Sequence, residues 1–387
     1  MNIGMFTDVY RPSINGVTRS IDAAREALEA LGHKVYVIAP HARRVDPDQF
    51  VIRLPSIKRL SPPTIPIAVA FAPFVIEAVR PLSLDIVHSH LPFTVGSIGH
   101  SIARELKLPI IHTYHTHLTE YAHYAPPFPG LRRSVRFGLR RLSRQFCNSA
   151  DQVIAPSTAI KELLVSYGVT KPITVLPSGI RTQDFRRLSR AERFITLKQY
   201  NIPDNQKIIL FGGRLAREKN LPFLLKAYQQ IVSRRHDIHL VLAGGGPAER
   251  SIERRIRALQ LDTRVTMTGM ISKEEIAKLF GSADVFAFPS VTETQGIVIA
   301  EALAAGCPVV AIDAMGSKDS IVDGVNGYLV PLSTISFAER LEEVVSDQQY
   351  WQQLSSAAMQ SAESFSIEHV TDRLVNLYEA SHRDIVT

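Results

Sequence analysis

Two glutamates separated by seven residues, Glu293 and Glu301, flank a predicted transition from a strand into a helix. The helix is predicted to open at Gln295–Gly296, where free backbone N–H groups suit a phosphate. Carboxylates repel phosphate, so the glutamates fit better as acceptors for sugar hydroxyls on either side of a diphosphate. For an isolated pair, a helix-capping Glu293 and a solvated Glu301 would be the simpler interpretation, and these two residues alone do not exclude it.

A second candidate site follows another predicted strand. Gly212 and Gly213 make a turn, after which come Arg214 and, five residues later, Lys219. Two fixed cations can neutralise the charge that grows on a departing diphosphate without a metal ion. An arginine at a solvated strand end is more often only surface charge, and that alternative remains open on these residues alone.

The elements that must position these residues alternate between short β-branched runs and longer helical patterns. This alternation predicts two doubly wound, Rossmann-like α/β domains facing a cleft, with ligands outside the carboxyl ends of the strands. We predict a first domain over residues 1–184 and a second domain over residues 185–364. Residues 365–387 are predicted to form a helix that packs back on the first domain, and the polar stretch Arg181–Asp204 is interpreted as the interdomain region.

The spacing of Glu293 and Glu301, followed by the run Ala302–Ala311, resembles glycosyltransferase family 4, and the similarity extends over nearly the whole chain. The resemblance implies a retaining, nucleotide-sugar-dependent enzyme of the GT-B fold. We expect residues 185–364 to bind a UDP-sugar donor and residues 1–184 to bind the acceptor at a membrane. No cofactor is expected to be obligatory, and Mg²⁺, if it binds, is not expected to be essential. Gln295 stands where many members of the family have Phe.

The resemblance also assigns roles to single residues. Glu301 would hold the donor ribose and Glu293 the transferring sugar, with His115 beside that sugar. The remaining donor-site residues would bind the diphosphate, the sugar or the base through cationic side chains or backbone groups: Arg214, Lys219, Gly16, Gly213, Met270, Ile271, Gln295, Gly296 and Ile297.

Four histidines near His115 first suggest a metal site: His112, His115, His117 and His123. No carboxylate or cysteine with ligand spacing completes a zinc set. We therefore predict no metal and a functional role for His115 alone.

Positive charge is concentrated in the first half of the chain. Residues 1–184 contain 21 Lys and Arg against 13 Asp and Glu, whereas the whole chain carries a net charge of only +7. Residues 130–146 predict a helix with an apolar face beside arginines, which is typical either of a solvated helix or of one lying on anionic lipid. Together with the short apolar run Ile65–Ile76, this favours a membrane surface. The predicted membrane and acceptor residues are Arg132, Arg133, Arg136, Arg140, Arg141 and Tyr121.

Other classes are less favoured by the sequence. Two distant cysteines exclude a disulfide framework, the apolar run is too short to span a bilayer, and no secretory signal is expected. Nucleic acid would also suit the charge, but no aromatic platform is interleaved with the arginines.

We therefore expect transfer of glucose from UDP-glucose to 1,2-diacylglycerol by a peripheral enzyme on the inner face of the cell membrane. Part of this expectation comes from the likeness of residues 292–296 and 114–124 to family members that glucosylate diacylglycerol. The alternatives are a mannosyl- or galactosyltransferase acting on phosphatidylinositol or another glycolipid, a nucleotide-sugar epimerase, and a catalytically silent lipid-binding module. Front-face and double-displacement mechanisms both remain open.

Overall fold

The structure is a computed structural model, and it describes residues 1–13, 15–42, 48–57, 67–68, 72–119 and 130–386. These residues form two compact units. The first comprises residues 1–179 and 367–387, and the second comprises residues 180–366. Over the part of the chain that the structure describes, none of the helices combines the length and the apolar character that crossing a bilayer requires.

The first unit is built on a seven-stranded parallel sheet with the strand order β3-β2-β1-β6-β7-β8-β9. Its strands are β1 (Asn2–Phe6), β2 (Lys34–Pro40), β3 (Val51–Leu54), β6 (Ile86–Ser89), β7 (Ile110–Thr113), β8 (Gln152–Ala155) and β9 (Ile173–Val175), with a small antiparallel ribbon of β4 (Ser56–Ile57) and β5 (Ile67–Ala68). Its helices are α1 (Gly16–Ala30), α2 (Ala72–Val79), α3 (Thr94–Leu106), α4 (Leu131–Asn148), α5 (Thr158–Ser166) and α13 (Ile367–Val386).

The last helix, α13, belongs to the core of the first unit although it lies at the end of the chain. Val370, Leu374 and Tyr378 are buried in one cluster with Ile3 of β1 and Ile21 of α1. These three residues recur at intervals of four, so they lie on one face of the helix. Burial of this apolar stripe attaches α13 to the N-terminal sheet.

The second unit has a six-stranded parallel sheet with the order β12-β11-β10-β13-β14-β15. Its strands are β10 (Lys207–Gly212), β11 (Ile238–Ala243), β12 (Val265–Gly269), β13 (Val285–Phe288), β14 (Val309–Ile312) and β15 (Gly327–Val330). Its helices are α6 (Arg190–Gln199), α7 (Leu221–Val232), α8 (Glu249–Ala258), α9 (Lys273–Ser282), α10 (Ile297–Ala304), α11 (Thr334–Ser346) and α12 (Gln348–Ala362).

Strand order determines where each sheet can bind a ligand. The chain starts in the middle of each sheet, at β1 and β10, builds outward on one side, and then crosses to β6 or β13 on the other. Connections therefore diverge at the carboxyl ends of β1 and β6 and of β10 and β13, which opens a crevice in sheets of this kind. The prediction of two doubly wound parallel sheets is confirmed.

The interpretation of Arg181–Asp204 as the interdomain region is wrong. The stretch lies inside the second unit and contains α6, which begins with a capping box between Ser189 and Glu192. Leu197 of this helix is fully buried in the core of the second unit. The polar residues that suggested an interdomain region lie largely on the exposed side of this packed helix.

Candidate active site

The loops after β10 and β13 meet at the switch point of the second sheet. Lys219 Nζ lies 2.5 Å from Glu293 Oε1, and these side chains retain only 16% and 23% of their exposure. The Asn220 side-chain amide donates to the Pro289 carbonyl at 3.2 Å, and the Ser290 hydroxyl donates to the Glu218 carbonyl at 3.1 Å. Two segments that are 74 residues apart in the sequence therefore form one polar surface.

Arg214 occupies a more open position than Lys219. Its guanidinium forms an ion pair with Glu218, four residues later, and its side chain is 58% exposed. The surface thus contains two cations, each with its own carboxylate partner. An incoming diphosphate must share these cations with Glu218 and Glu293, or displace the carboxylates from them.

Helix α10 begins beside this pair. Gly296, which precedes it, has φ +70°, a conformation that residues with a Cβ rarely adopt. A Cβ there would also lie 3.0 Å from Ile299 Cδ1 and 3.1 Å from Phe288 Cζ. The first N–H groups of a helix have no partner within it, so the start of α10 offers donors to an anion next to Lys219.

Two predicted donor residues are buried at this helix. Gln295 is 5% exposed, and so is Glu301, the fifth residue of α10. Helical side chains tilt toward the N-terminus, which turns Glu301 toward the same end of the sheet as Glu293. A solvated surface position for Glu301, the simpler interpretation of the sequence, is therefore wrong.

Close packing of the two loops explains why glycines follow β10 and β11. Gly213 and Gly244 have φ of +145° and +128°, and a Cβ on Gly244 would lie 2.2 Å from the Gly213 carbonyl oxygen. The Leu215 amide donates to the Gly245 carbonyl at 3.0 Å, which locks the two loops together. These glycines let the backbones approach closely and fix the turn that leads to Arg214.

Met270 and Ile271, predicted to contact the base, follow β12 at the same sheet edge. Met270 is 82% exposed, and its Cγ would be only 2.9 Å from a Cβ placed on Gly245. Ile271 is half-buried against the core of the second unit. Their predicted roles depend on backbone groups and stay predictions.

In the first unit, Gly16 and His115 lie after β1 and β7. Gly16 is the first residue of α1, whose N-cap Asn15 accepts a hydrogen bond from the Thr18 amide. A Cβ on Gly16 would have nothing within 4 Å, so packing within the protein does not require glycine there. His115 is half-buried, and burial lowers the pKa of its imidazole to about 4, which keeps the ring neutral at pH 7.

The neighbouring histidines do not converge with His115. His112 is bonded to Ser89 on the opposite face of β7, and His117 lies near the Tyr167 hydroxyl. Within the described ranges, no group of three or more His, Cys, Asp or Glu side chains could hold a metal ion. His123 and Tyr121 lie outside the described residues.

Helix α4 presents its arginines to solvent. The predicted membrane residues on this helix are all exposed: Arg132, Arg133, Arg136, Arg140 and Arg141. Arg140 also stacks over the Tyr167 ring at 5.0 Å and donates to the Ser166 carbonyl. The apolar face is buried at Phe146, but Leu131 at the other end is exposed, so among the described residues the core covers the C-terminal part of this face.

Three residues at these sites were not predicted from the sequence. Phe137 is 67% exposed and lies one helical turn from both Arg133 and Arg141. Glu218 and Ser290 complete the polar surface around Lys219 and Glu293. Phe137 could have been found as an aromatic residue on the polar side of the helix, and Glu218 from its spacing of four residues to Arg214.

Comparison with solved structures identifies the fold. Anabaena HepE in complex with UDP superposes with a TM-score of 0.78 at 18% identity, covering 98% of this chain and 100% of that chain. Sucrose-phosphate synthase from Thermosynechococcus elongatus gives 0.76 at 23% identity, covering 98% of both chains. The fold is that of GT-B glycosyltransferases, and its second sheet has a polar site of cations and carboxylates at the switch point.

Sequence comparison identifies the family. Residues 14–184 match Glycosyltransferase Family 4, and residues 192–361 match Glycosyl transferases group 1. The chain is 35% identical to the alpha-monoglucosyldiacylglycerol synthase of Streptococcus pneumoniae, over 80% of this chain and 71% of that protein. It is 30% identical to the synthase of the same name from Acholeplasma laidlawii, over 84% of both.

A relative with a different name is as similar in identity as the Acholeplasma laidlawii synthase. The GDP-mannose-dependent alpha-mannosyltransferase of Mycobacterium tuberculosis is 30% identical over 98% of this chain and 97% of that protein. This chain belongs to glycosyltransferase family 4 and is a hexosyltransferase that uses a nucleotide sugar.

Proposed function

We propose that this enzyme transfers glucose from UDP-glucose to the free hydroxyl of 1,2-diacylglycerol, with retention at the anomeric carbon. The ion pair between Lys219 and Glu293 carries the proposal. It brings a cation for the diphosphate and a hydroxyl acceptor for the sugar to one point at the switch of a nucleotide-binding sheet. The names of the two monoglucosyldiacylglycerol synthases support the choice of sugar and lipid.

In this proposal the donor is held entirely by electrostatic and hydrogen-bonding groups. Lys219 and Arg214 bind the diphosphate, and the amides at the start of α10 donate to its oxygens. Buried Glu301 accepts from the ribose hydroxyls, and Glu293 accepts from the transferring sugar. A carboxylate acceptor makes stronger hydrogen bonds than a neutral one, which gives both contacts orientation as well as affinity.

Catalysis then depends on the charge that develops as the bond to the diphosphate breaks. Two fixed cations stabilise that charge more in the transition state than in the ground state, because the leaving oxygen becomes more negative. In a front-face mechanism this same oxygen can take the proton of the acceptor hydroxyl, and no further carboxylate base is needed. We propose that no metal is obligatory, since Lys219 and Arg214 supply the required positive charge.

The lipid acceptor would be reached from a membrane surface, and α4 is the proposed contact. Its exposed arginines would each contribute about 1 kcal/mol near anionic lipid. Phe137, exposed between Arg133 and Arg141, would insert its ring among the lipid chains. We therefore propose a peripheral enzyme on the inner face of the cell membrane.

A mannosyltransferase acting on phosphatidylinositol or another glycolipid is the second candidate. The mycobacterial mannosyltransferase matches almost the full length of this chain, whereas the pneumococcal synthase matches 80% of it. Cations and carboxylates that bind diphosphate and hydroxyls suit GDP-mannose as well as UDP-glucose. The donor must therefore be determined by experiment.

The test is a transfer assay with radiolabelled UDP-glucose and, separately, GDP-mannose, each with anionic vesicles that contain diacylglycerol or phosphatidylinositol. The proposal expects label from UDP-glucose in the lipid phase only when diacylglycerol is present, at a rate that falls about 100-fold or more in Lys219→Ala. Label from GDP-mannose on phosphatidylinositol would instead establish the second candidate. An isomerised free sugar nucleotide would indicate an epimerase, and binding to vesicles without any donor binding would indicate a silent lipid-binding module.

A further inference from the structure

Three histidine rings form a row at the carboxyl ends of β6 and β7 in the first unit. His88 is anchored at both nitrogens, with Nδ1 2.7 Å from the Tyr378 hydroxyl and Nε2 2.7 Å from the Thr113 hydroxyl. The His90 ring stacks beside it with centroids 4.2 Å apart. His115 comes next in the row, with its ring centroid 5.2 Å from that of His90 and the planes inclined by 21°.

His90 and His115 are joined by one short hydrogen bond. The distance from His90 Nδ1 to His115 Nε2 is 2.9 Å. The other nitrogen of His90, Nε2, is buried and has no hydrogen-bond partner among the described residues. His90 as a whole is 3% exposed, so its ring cannot turn toward solvent to satisfy that atom.

Both rings are neutral, because burial lowers the pKa of His90 well below its usual range and that of His115 to about 4. A neutral imidazole carries one N–H, so one of the two facing nitrogens donates and the other accepts. If His115 donated, the hydrogen of His90 would sit on the buried, unpartnered Nε2. A buried N–H without a partner is rarer and more costly than an unfilled lone pair.

We propose that His90 is a positioning residue that donates from Nδ1 to His115 Nε2, and so fixes the ring of His115 with its hydrogen on Nδ1. This inference rests on the proposed function in one respect, that His115 acts beside the transferring sugar. The anchored His88 backs the row and keeps His90 in place.

The tautomer is tested by two-bond ¹H–¹⁵N NMR correlation on histidine-labelled protein at pH 7.5, with His115 assigned from its loss in His115→Gln. The proposal expects a protonated-type shift for His115 Nδ1 and an unprotonated-type shift for Nε2. A protonated Nε2 in the wild-type protein would overturn it. This measurement needs no turnover, so it tests the tautomer independently of the proposed function. A protein that transfers no sugar would refute the proposed function, and the NMR result would still decide the tautomer.

The positioning role is tested with His90→Asn, which can place an amide donor near the position of Nδ1, and with His90→Leu, which cannot. We expect His90→Leu to lower kcat about 10- to 100-fold, since a small misplacement of an active group has effects of this size. KM for the donor should stay within about threefold, and His90→Asn should recover most of kcat.

His112→Asn is the matched control, because His112 is equally buried, also has an unpartnered Nε2, and faces the other side of the sheet. It should lower the melting temperature without shifting the His115 resonances. An unchanged kcat in His90→Leu would contradict the positioning role. A loss of kcat in His112→Asn as large as that in His90→Leu would also contradict it.

Discussion

Replacing Glu293 by Gln separates a sugar-binding role from a purely structural one. The carboxylate is mostly buried and is bonded to Lys219, with the Ser290 hydroxyl 3.4 Å away. Glutamine keeps the size of the side chain and removes its charge. If Glu293 accepts a hydrogen bond from a hydroxyl of the transferring sugar, the substitution should weaken the binding of donors that carry a sugar. It should not weaken the binding of the nucleotide diphosphate alone.

The expected change in affinity follows from two contacts of Glu293, the proposed one to the sugar and the ion pair with Lys219. A hydrogen bond to a charged group contributes about 1 to 2 kcal/mol more than a neutral one, so the affinity for UDP-glucose should fall about 5- to 30-fold. Loss of the carboxylate also releases Lys219 for the phosphates. UDP should therefore bind at least as tightly as before, because its phosphates no longer compete with the Glu293 carboxylate for Lys219.

Isothermal titration calorimetry with UDP and with UDP-glucose gives the ratio of the two dissociation constants. We expect the dissociation constant of UDP-glucose divided by that of UDP to rise in Glu293→Gln. The same ratio should stay unchanged in the control Glu218→Gln, which removes the carboxylate beside Arg214. Equal weakening of both ligands by Glu293→Gln would refute the sugar contact. Glu293 would then only hold the loop through Lys219 and Ser290.

Four further results are expected. Lys219→Ala and Arg214→Ala should each lower kcat by about two orders of magnitude or more in the vesicle assay, and unchanged turnover in both would reject their role in stabilising the diphosphate. Phe137→Ser should weaken binding to anionic vesicles about tenfold or more in a sedimentation assay, because burial of a Phe side chain contributes about 1.5 to 3 kcal/mol. The control Arg250→Gln, on the exposed side of α8, should leave vesicle binding unchanged. Activity should persist in EDTA, and its complete loss with recovery on adding Mg²⁺ would contradict the proposal that no metal is obligatory. Burial lowers the pKa of His100 to about 4, so its ring binds a proton less readily in the folded protein than in the unfolded chain. As the pH falls from 6.5 toward 4, this one group should lower the free energy of unfolding by up to about 1.4 kcal/mol per pH unit, in addition to the effects of the other buried histidines, and it should cause no loss above pH 6.5. In urea denaturation the slope against pH should be shallower in His100→Gln by about that amount.

The alternation of strands and helices was predictable because both sheets are parallel and buried on both faces, which leaves continuous apolar runs in the sequence. β3 was not predicted, because Val51–Leu54 is short and three of its four residues are only half-buried. α6 was hidden by its polar composition, although the capping box of Ser189 and Glu192 is a local signal for the start of a helix.

The candidate site was predictable only in part. The spacing of Glu293 and Glu301 and the turn before Arg214 are local features, and they could be found in one sequence. The ion pair between Lys219 and Glu293 depends on two loops meeting at a switch point, which strand order determines and spacing does not. The hydrogen bond between His90 and His115 likewise joins the segments that follow the neighbouring strands β6 and β7, and no local sequence pattern indicates it.

The central claim is that the second unit holds the donor diphosphate between its cations and the start of α10. A crystal structure with bound UDP tests it most directly. The account predicts phosphate oxygens within hydrogen-bond distance of Lys219 Nζ and of the amides at Gly296 and Ile297, with the ribose hydroxyls on Glu301. Well-defined nucleotide bound at another place, with Lys219 still paired to Glu293 and no phosphate beside it, would contradict the account.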